Sequence, residues 1–380
     1  MKKHIVIVGA GISGVSIAYH LASKGVKNIL VLDQGYFTSG ATGRCGAGIR
    51  QQWQTEMNAI MAKKSMEFFE KAEEILGYDG TVELKQEGYL ILATTPEEVK
   101  QFEKNVAMQN KLGIPSKVVS KTEALEIVPH LNKDAFISAT FCKTDGHLNP
   151  FKTTEAFYKA SLKLGVEFHF YEEVTGFKVE KQKVTHIITD KDTYETDIII
   201  NAAGGYAKEI GAMAGVDIPV YSENHEILAT EPVEKIQGPM VMSFSKNIYC
   251  QQVPHGAFLM GRSNPEQEPG HDVSSSWQFL DEMSKTVCDI MPLIGKLNIV
   301  RQWGGSYNMS PDHQPIISRA NEISNFYMAC GFSGHGFMLA PMTGLLMSEL
   351  ILGLEPTIDL KALSIDRFKD QEIHIEKSVV

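Results

Sequence analysis

Three glycine-rich segments and one arginine carry most of the chemistry open to this 380-residue chain. The first segment is Gly9-Ala10-Gly11-Ile12-Ser13-Gly14, placed directly after an apolar run at 5–8 and before a helical pattern. Gly9 permits a tight turn, Gly11 lets the backbone approach a pyrophosphate, and Gly14 lets the helix pack close to its strand. The free N–H groups and the dipole at the helix start, around Ile12 and Ser13, favour phosphate charge. Asp33, followed by Gln34, ends the next apolar run. A carboxylate there accepts hydrogen bonds from ribose hydroxyls and disfavours a 2′-phosphate. This pattern points to a dinucleotide and does not by itself separate NAD from FAD.

The second segment runs Gly40-Ala41-Thr42-Gly43-Arg44-Cys45-Gly46-Ala47-Gly48-Ile49-Arg50. It can lay its backbone along an extended cofactor; the alternative is a surface loop, for which Ile49 and Arg50 are poor company. The third is Cys330-Gly331-Phe332-Ser333-Gly334-His335-Gly336-Phe337-Met338, which follows a strand pattern and feeds a helix with Pro341 expected in its first turn. The positive end of that helix would stabilise negative charge gathering on a reduced flavin. The alternative is a helix start with no ligand. Together these two later segments favour FAD.

The elements that must position these residues follow from periodicity. A strand at 4–8, a helix at 13–24 and a strand at 28–32 form a βαβ unit. Helices are expected at 56–76, 96–111, 153–164, 277–291 and 341–352. Strands are expected at 89–94, 166–171, 174–180, 184–189, 198–201, 220–230, 240–244, 247–252, 258–261 and 326–329. A nucleotide-binding start, a strand-rich middle and a glycine–helix finish predict an α/β chain. Its Rossmann-like FAD-binding domain is built from discontinuous segments, 1–80, 146–217 and 323–380. An α+β substrate domain on a largely antiparallel sheet takes 81–145 and 218–322. Hydrophobic residues make up 43% and charged residues 22%, with a net charge of −10, which argues against a nucleic-acid surface. The five cysteines lie far apart without a CxxC pair, so no metal site is expected and a reducing compartment suits them. No signal peptide or membrane span is read, so a cytoplasmic location is expected, with peripheral membrane attachment left open.

GATGRCGAGIRQQW, TDGHLNP, DIIINAAGGYA and GFSGHGFMLAP, in this order with the fingerprint, resemble the FAD-dependent D-amino-acid oxidase superfamily. Within it the chain resembles the β subunits of dye-linked L-proline dehydrogenase and sarcosine oxidase, and glycine oxidase. The resemblance implies FAD contacts at Val174, at Ala202, Ala203 and Gly204, and along the three glycine segments. It implies a substrate carboxylate paired with Arg50, and a substrate cavity lined by Tyr249 and His335, with His225 either nearby or a satisfied core histidine. Arg50 could equally serve a structural ion pair. Gly305 aligns with the cysteine that holds flavin covalently in monomeric sarcosine oxidases, so a non-covalent FAD is expected. Met338 and Tyr307 align with positions that carry a second carboxylate cation in relatives, which leaves the clamp half built unless Arg301 or Arg262 completes it. Leu259 aligns with an oxygen-activating lysine, which tilts the expected electron acceptor from oxygen towards a dye, quinone or carrier protein. The expected reaction is oxidation of the C–N bond of a small amino acid or secondary amine by hydride transfer to flavin N5, with a second subunit as a candidate partner. The alternatives are oxidation of a hydroxy acid, or a flavin-holding subunit of a larger complex.

Overall fold

Parallel strands covered on both faces read as unbroken apolar runs, and two such runs open the chain. In the computed structural model, which describes residues 2–264, 267–370 and 374–379, they form β1 (Lys2–Val8) and β2 (Ile29–Asp33), parallel neighbours joined by α1 (Ile12–Ser23). The first sheet runs Ile316–Arg319, Phe326–Cys330, Thr193–Asn201, β1, β2, Glu167–Phe170, with the ribbon Val174–Glu180 and Lys183–Thr189 added to Thr193–Asn201. Its five strands from Phe326–Cys330 to Glu167–Phe170 are parallel. Successive side chains face opposite layers: Ile5, Ile7 and Val31 pack under α1, and Val6, Leu30 and Leu32 pack under the Ala207–Met213 side.

The second sheet runs Ile299–Met309, Tyr221–Thr230, Phe258–Ser263, Ile248–Gln252, Met240–Ser243, Tyr89–Ala93, Ser138–Cys142, Ser116–Ser120. It is antiparallel except where Met240–Ser243 pairs with Tyr89–Ala93. The period of two again sorts its residues. Leu90, Leu92, Val241, Cys250 and Met260 join the core under the helix Trp277–Ile290, while Tyr89, Ile91, Met240, Met242 and Tyr249 point to the opposite face. That opposite face turns out to wall the candidate site.

Several expectations are corrected. The helix expected at 56–76 is two helices, α2 (Glu56–Phe69) and then Ala72–Leu76. The helix expected at 153–164 starts earlier, at Pro150, because Asn149 accepts from the Phe151 and Lys152 amides and proline suits the first helical position. The late helix spans Gly336–Leu352, so Pro341 lies inside it rather than in its first turn. Ile299–Met309 is the longest strand, yet Gly304 and Gly305 interrupt the apolar pattern that would have marked it. Ile316–Arg319 pairs with the first sheet, so the segment 218–322 does not lie wholly with the second. Among the described residues, no helix is long and apolar enough to cross a membrane.

The two flanking helices of the first sheet cross at glycine. Ser16 donates to the Ala340 carbonyl (2.8 Å), and the buried His20 contacts the Ser16 carbonyl (2.9 Å). A Cβ at Gly344 would lie 2.6 Å from both Ser16 O and His20 Nδ1. Backbone cannot yield there without moving a helix. Gly344→Ala is therefore expected to cost about 1–3 kcal/mol, measured as a lowered denaturation midpoint; an unchanged midpoint would mean that the crossing is loose.

Candidate active site

A long cavity of about 390 Å³ opens at the carboxyl ends of the parallel strands, where chain order reverses between β1 and Thr193–Asn201. The sequence-predicted Gly9, Gly11, Ile12, Ser13, Asp33, Gln34, Thr42, Arg44, Cys45, Val174, Ala202, Ala203, Gly204, Gly305, Gly334, Gly336 and Phe337 all line it. Gly9 (φ +107) is also where β1 passes closest to the neighbouring strand: a Cβ there would lie 2.8 Å from the Ala202 carbonyl carbon. Asp33 holds the turn from behind, accepting from the Ala10 amide (2.7 Å) and the Gly35 amide (2.8 Å). Burial raises its pKa, and those two bonds work against the rise. Thr42 Oγ1 accepts from the Ile12 amide (3.1 Å), which pins the second glycine segment on the start of α1.

This cavity fits an extended, partly anionic cofactor. The start of α1 supplies N–H groups, and Arg44 is the one arginine or lysine among the described lining residues. Ser306 Oγ and Asn308 Nδ2 are buried polar atoms in its wall without a partner among the described residues. Asn308 meanwhile receives the Gly331 amide (2.6 Å) and so holds the third glycine segment in place.

Not every expected contact lies here. Gly14 lines neither this cavity nor the smaller chamber beside it; a Cβ there would strike Gly9 O, so its role is helix–strand packing. Gly43 and Ile49 also line neither cavity: Gly43 is pressed on Thr38 O, and Ile49 is core. Gly46, Ala47, Gly48, His335 and Met338 line a second chamber instead. Arg262 is paired with Glu282 (3.3 Å), and the exposed Arg301 lies over Trp303; neither reaches a cavity, so neither completes a clamp. Leu259 lines neither cavity.

The second chamber, about 70 Å³, shares Cys45, Tyr307, Ser333, Gly334 and Phe337 with the long cavity. The outward-facing residues of the second sheet, Tyr89, Met240, Met242 and Tyr249, supply one wall. Arg50 supplies another and is 3% exposed. Its guanidinium carbon sits 3.9 Å over Trp53, whose indole N–H donates to the Arg50 carbonyl (2.9 Å). Nη1 donates to Gln52 O (2.6 Å) and Nη2 to Ser378 O (2.6 Å), while Nε has no partner among the described residues. Burial works against the charge, and Tyr89, Glu376 and Asp145 favour it.

The other ionisable walls are held uncharged near neutral pH. Burial pushes His335 and His225 each down to about 3 and lifts Tyr249 and Tyr307 well above the ordinary phenol range. It pushes Cys45 up to about 11. His225 lies flat against Tyr307 (4.1 Å between ring centres) and contacts Tyr249 OH (3.2 Å). His335 Nδ1 faces the Ser333 carbonyl (3.2 Å), which can only accept, so Nδ1 carries the proton. Nε2 is then a buried lone pair without a partner.

Sequence reasoning passed over Trp53, Asp145, Tyr89, Asn308 and Ser378. Trp53 and Asp145 lie inside the motifs GRCGAGIRQQW and TDGHLNP, which could have flagged them. Ser378 is 328 residues from Arg50, and no local pattern announces it.

The family model described as FAD dependent oxidoreductase matches residues 4–350. The sarcosine oxidase β subunit of Arthrobacter sp is 27% identical, over 96% of this chain and 91% of that one. Mitochondrial dimethylglycine dehydrogenase of Rattus norvegicus is 28% identical over 97% of this chain, which spans only 45% of that longer protein. The crystal structure of L-proline dehydrogenase from P. horikoshii superposes with a TM-score of 0.92 at 38% identity, covering 97% of this chain and 98% of that one.

Behind Arg50, Asp145 fixes the two residues that follow it. It accepts from the Gln51 amide (2.8 Å) and from Gln52 Nε2 (2.9 Å). Burial pushes Asp145 up to about 6, while bonds from Gln52 and Gln51 and the charge of Arg50 pull the other way. An unfolded aspartate titrates near about 3.9. The folded protein therefore keeps a proton that the unfolded chain releases between those values. The resulting stabilisation is full below about pH 4 and is lost as pH rises through about 6. Relative to Asp145→Asn, the wild type should gain roughly 2 kcal/mol between about pH 6.5 and about pH 4.5. Urea midpoints at the two pH values test this, and a constant difference would mean that Asp145 titrates like a free carboxyl.

Proposed function

The chain belongs to the FAD dependent oxidoreductase family, and from that membership we propose that it oxidises the carbon–nitrogen bond of a small amino acid or secondary amine of the proline or sarcosine kind. One observation carries this reading: a buried arginine with a free Nε stands in a small chamber that shares a wall with the long cofactor cavity. FAD supplies the two-electron acceptor when bound. The α1 start, Asp33, Thr42, Arg44, Val174, Ala202, Ala203 and Gly204 would hold it, with the third glycine segment at its other end. Gly305 offers no nucleophile, and a Cβ there would already sit 3.0 Å from Arg44 Cβ, which supports non-covalent binding.

Arg50 fixes the substrate carboxylate, for which a guanidinium fork is the matched partner. Trp53 keeps that fork in one plane. Holding the carboxylate at one end sets the carbon beside nitrogen against the shared wall, and such positioning lowers a barrier by several kcal/mol. His335 Nε2, an acceptor without a donor, takes an amine N–H. Among the described residues that line the chamber none is a charged base, and Arg50 is the one charged side chain. Loss of a hydride from the carbon draws on the nitrogen lone pair, so the amine reacts unprotonated. The Arthrobacter relative is a β subunit, which supports a second subunit as partner, with the electron acceptor reached through it or directly.

Anaerobic mixing with a substrate panel tests the reading. Proline or sarcosine should bleach the flavin band at about 450 nm, and lactate and glycerol 3-phosphate should not. Bleaching by a hydroxy acid alone would overturn the assignment. Arg50→Ala should raise KM for amino acids at least tenfold, to roughly a hundredfold, with FAD retained. kcat/KM should climb about tenfold per pH unit until the substrate amine itself is deprotonated; a plateau set near neutral pH would instead reveal a titrating enzyme base.

A further inference from the structure

The segment 374–379 is fastened firmly at one residue and lightly at the next. Glu376 is fully buried and accepts from the Thr55 amide (2.9 Å), Thr55 Oγ1 (2.7 Å) and Asn58 Nδ2 (3.3 Å). Thr55 caps α2 without a side-chain bond of its own, so the carboxylate of Glu376 serves the helix start, where the dipole favours negative charge. Glu376 N also donates to Asp312 O (2.9 Å). This anchor lies beside the chamber. Two residues on, Ser378 and Val379 form part of the chamber wall, and the Ser378 carbonyl takes Arg50 Nη2.

Nε and Nη2 form the side edge of a guanidinium, two parallel N–H groups spaced for a carboxylate. Here Nη2 is occupied by a main-chain carbonyl and Nε is left buried and unpartnered. A single carbonyl oxygen satisfies half of a fork built for two. Ser378 and Val379 stand in the chamber wall beside that half-filled fork.

Resting on the reading of Arg50 as the carboxylate anchor, we propose that Ser378 and Val379 are a resident competitor for that fork. An incoming carboxylate takes Nε and Nη2 together and turns out Ser378–Val379, while Glu376 stays fixed as the pivot. The segment 378–379 thereby sets the affinity of the chamber. The binding-competent state is the one with the tail turned out, and apparent affinity scales with its population.

Cyclopentanecarboxylate is a suitable probe, because it keeps a five-membered ring and a carboxylate but has no amine to oxidise. Its binding to the holoenzyme is measured by the flavin difference spectrum, and hydrogen exchange of 374–379 is followed by mass spectrometry. Saturating probe should speed exchange of the Ser378 amide, which donates to Glu376 Oε1 (2.9 Å) in the closed form. Replacing Ser378 and Val379 with glycine raises the entropy of the open tail and should tighten the probe about tenfold. Arg50→Lys, which keeps charge and loses the fork, should weaken it at least tenfold. If Arg50→Lys weakens binding but Ser378 exchange slows or stays unchanged, the tail is a fixed wall and the proposal fails while the amine-oxidation reading stands. If Arg50→Lys leaves binding unchanged, both fail.

Discussion

A full positive charge held out of water, with no carboxylate against it, sets the terms for the rest of the site. Arg50 satisfies two of its nitrogens with main-chain carbonyls, Gln52 O and Ser378 O, and lays its face on Trp53. Neutral dipoles and a π face offset part of the desolvation of a cation, the latter worth about 2 kcal/mol when buried, but they do not neutralise it. The nearest acids, Asp145 and Glu376, are engaged elsewhere: one holds Gln51 and Gln52, the other Thr55 and Ser378. The chamber therefore keeps an unpartnered N–H on a buried cation, a place that an anionic ligand can complete. Pairing Arg50 directly with either acid would have been the more stable local solution and would have removed that vacancy for charge.

Both sheets are arranged around this point. The parallel sheet brings glycine turns to its carboxyl edge, and the second sheet presents every other residue, among them Tyr89, Met240 and Tyr249, to the same space. The two are tied by main-chain contacts rather than by long ion pairs. Arg44 donates to Gly304 O (3.0 Å), and Trp303 returns a bond to Arg44 O (2.9 Å). Gly48 lies so close to Tyr89 that a Cβ would strike the phenol oxygen. The glycines of the second segment thus serve two ends: Gly40 lines the long cavity, while Gly46 and Gly48 let aromatic rings of the other sheet come down on the chamber.

What the sequence disclosed was mostly local. The fingerprint, Asp33 and the helices at 13–24 and 96–111 are read from contacts a few residues apart, and α1 and Pro96–Lys111 stand where periodicity puts them. The glycine segments were legible as special backbone but not as to purpose. Gly43 and Gly14 are glycines because neighbouring carbonyls press on them, a need that looks identical in sequence to room for a ligand. The Ile299–Met309 strand was hidden because its middle, Trp303-Gly304-Gly305, is shaped by Arg44 and Asn224 across the fold rather than by strand propensity. Ser378 offers a peptide carbonyl that any residue carries, so its role exists only in three dimensions.

The uncharged state of the rings follows from the same constraint. His225, His335, Tyr249 and Tyr307 are buried too deeply to ionise near neutral pH. A site that removed a proton from carbon would need a base with a pKa near the working range, and burial of this kind would disable it. A site whose task is to hold a neutral amine and its carboxylate while two electrons leave needs the opposite: one fixed charge for orientation, acceptors such as His335 Nε2 for direction, and dry walls that neither donate nor take a proton. Adding a second cation to complete a clamp would strengthen carboxylate binding, but it would also raise the potential at the amine and make loss of electrons from that carbon harder. Met338 and Tyr307 bring no charge to the chamber, so on the proposed reading Arg50 does the anchoring alone.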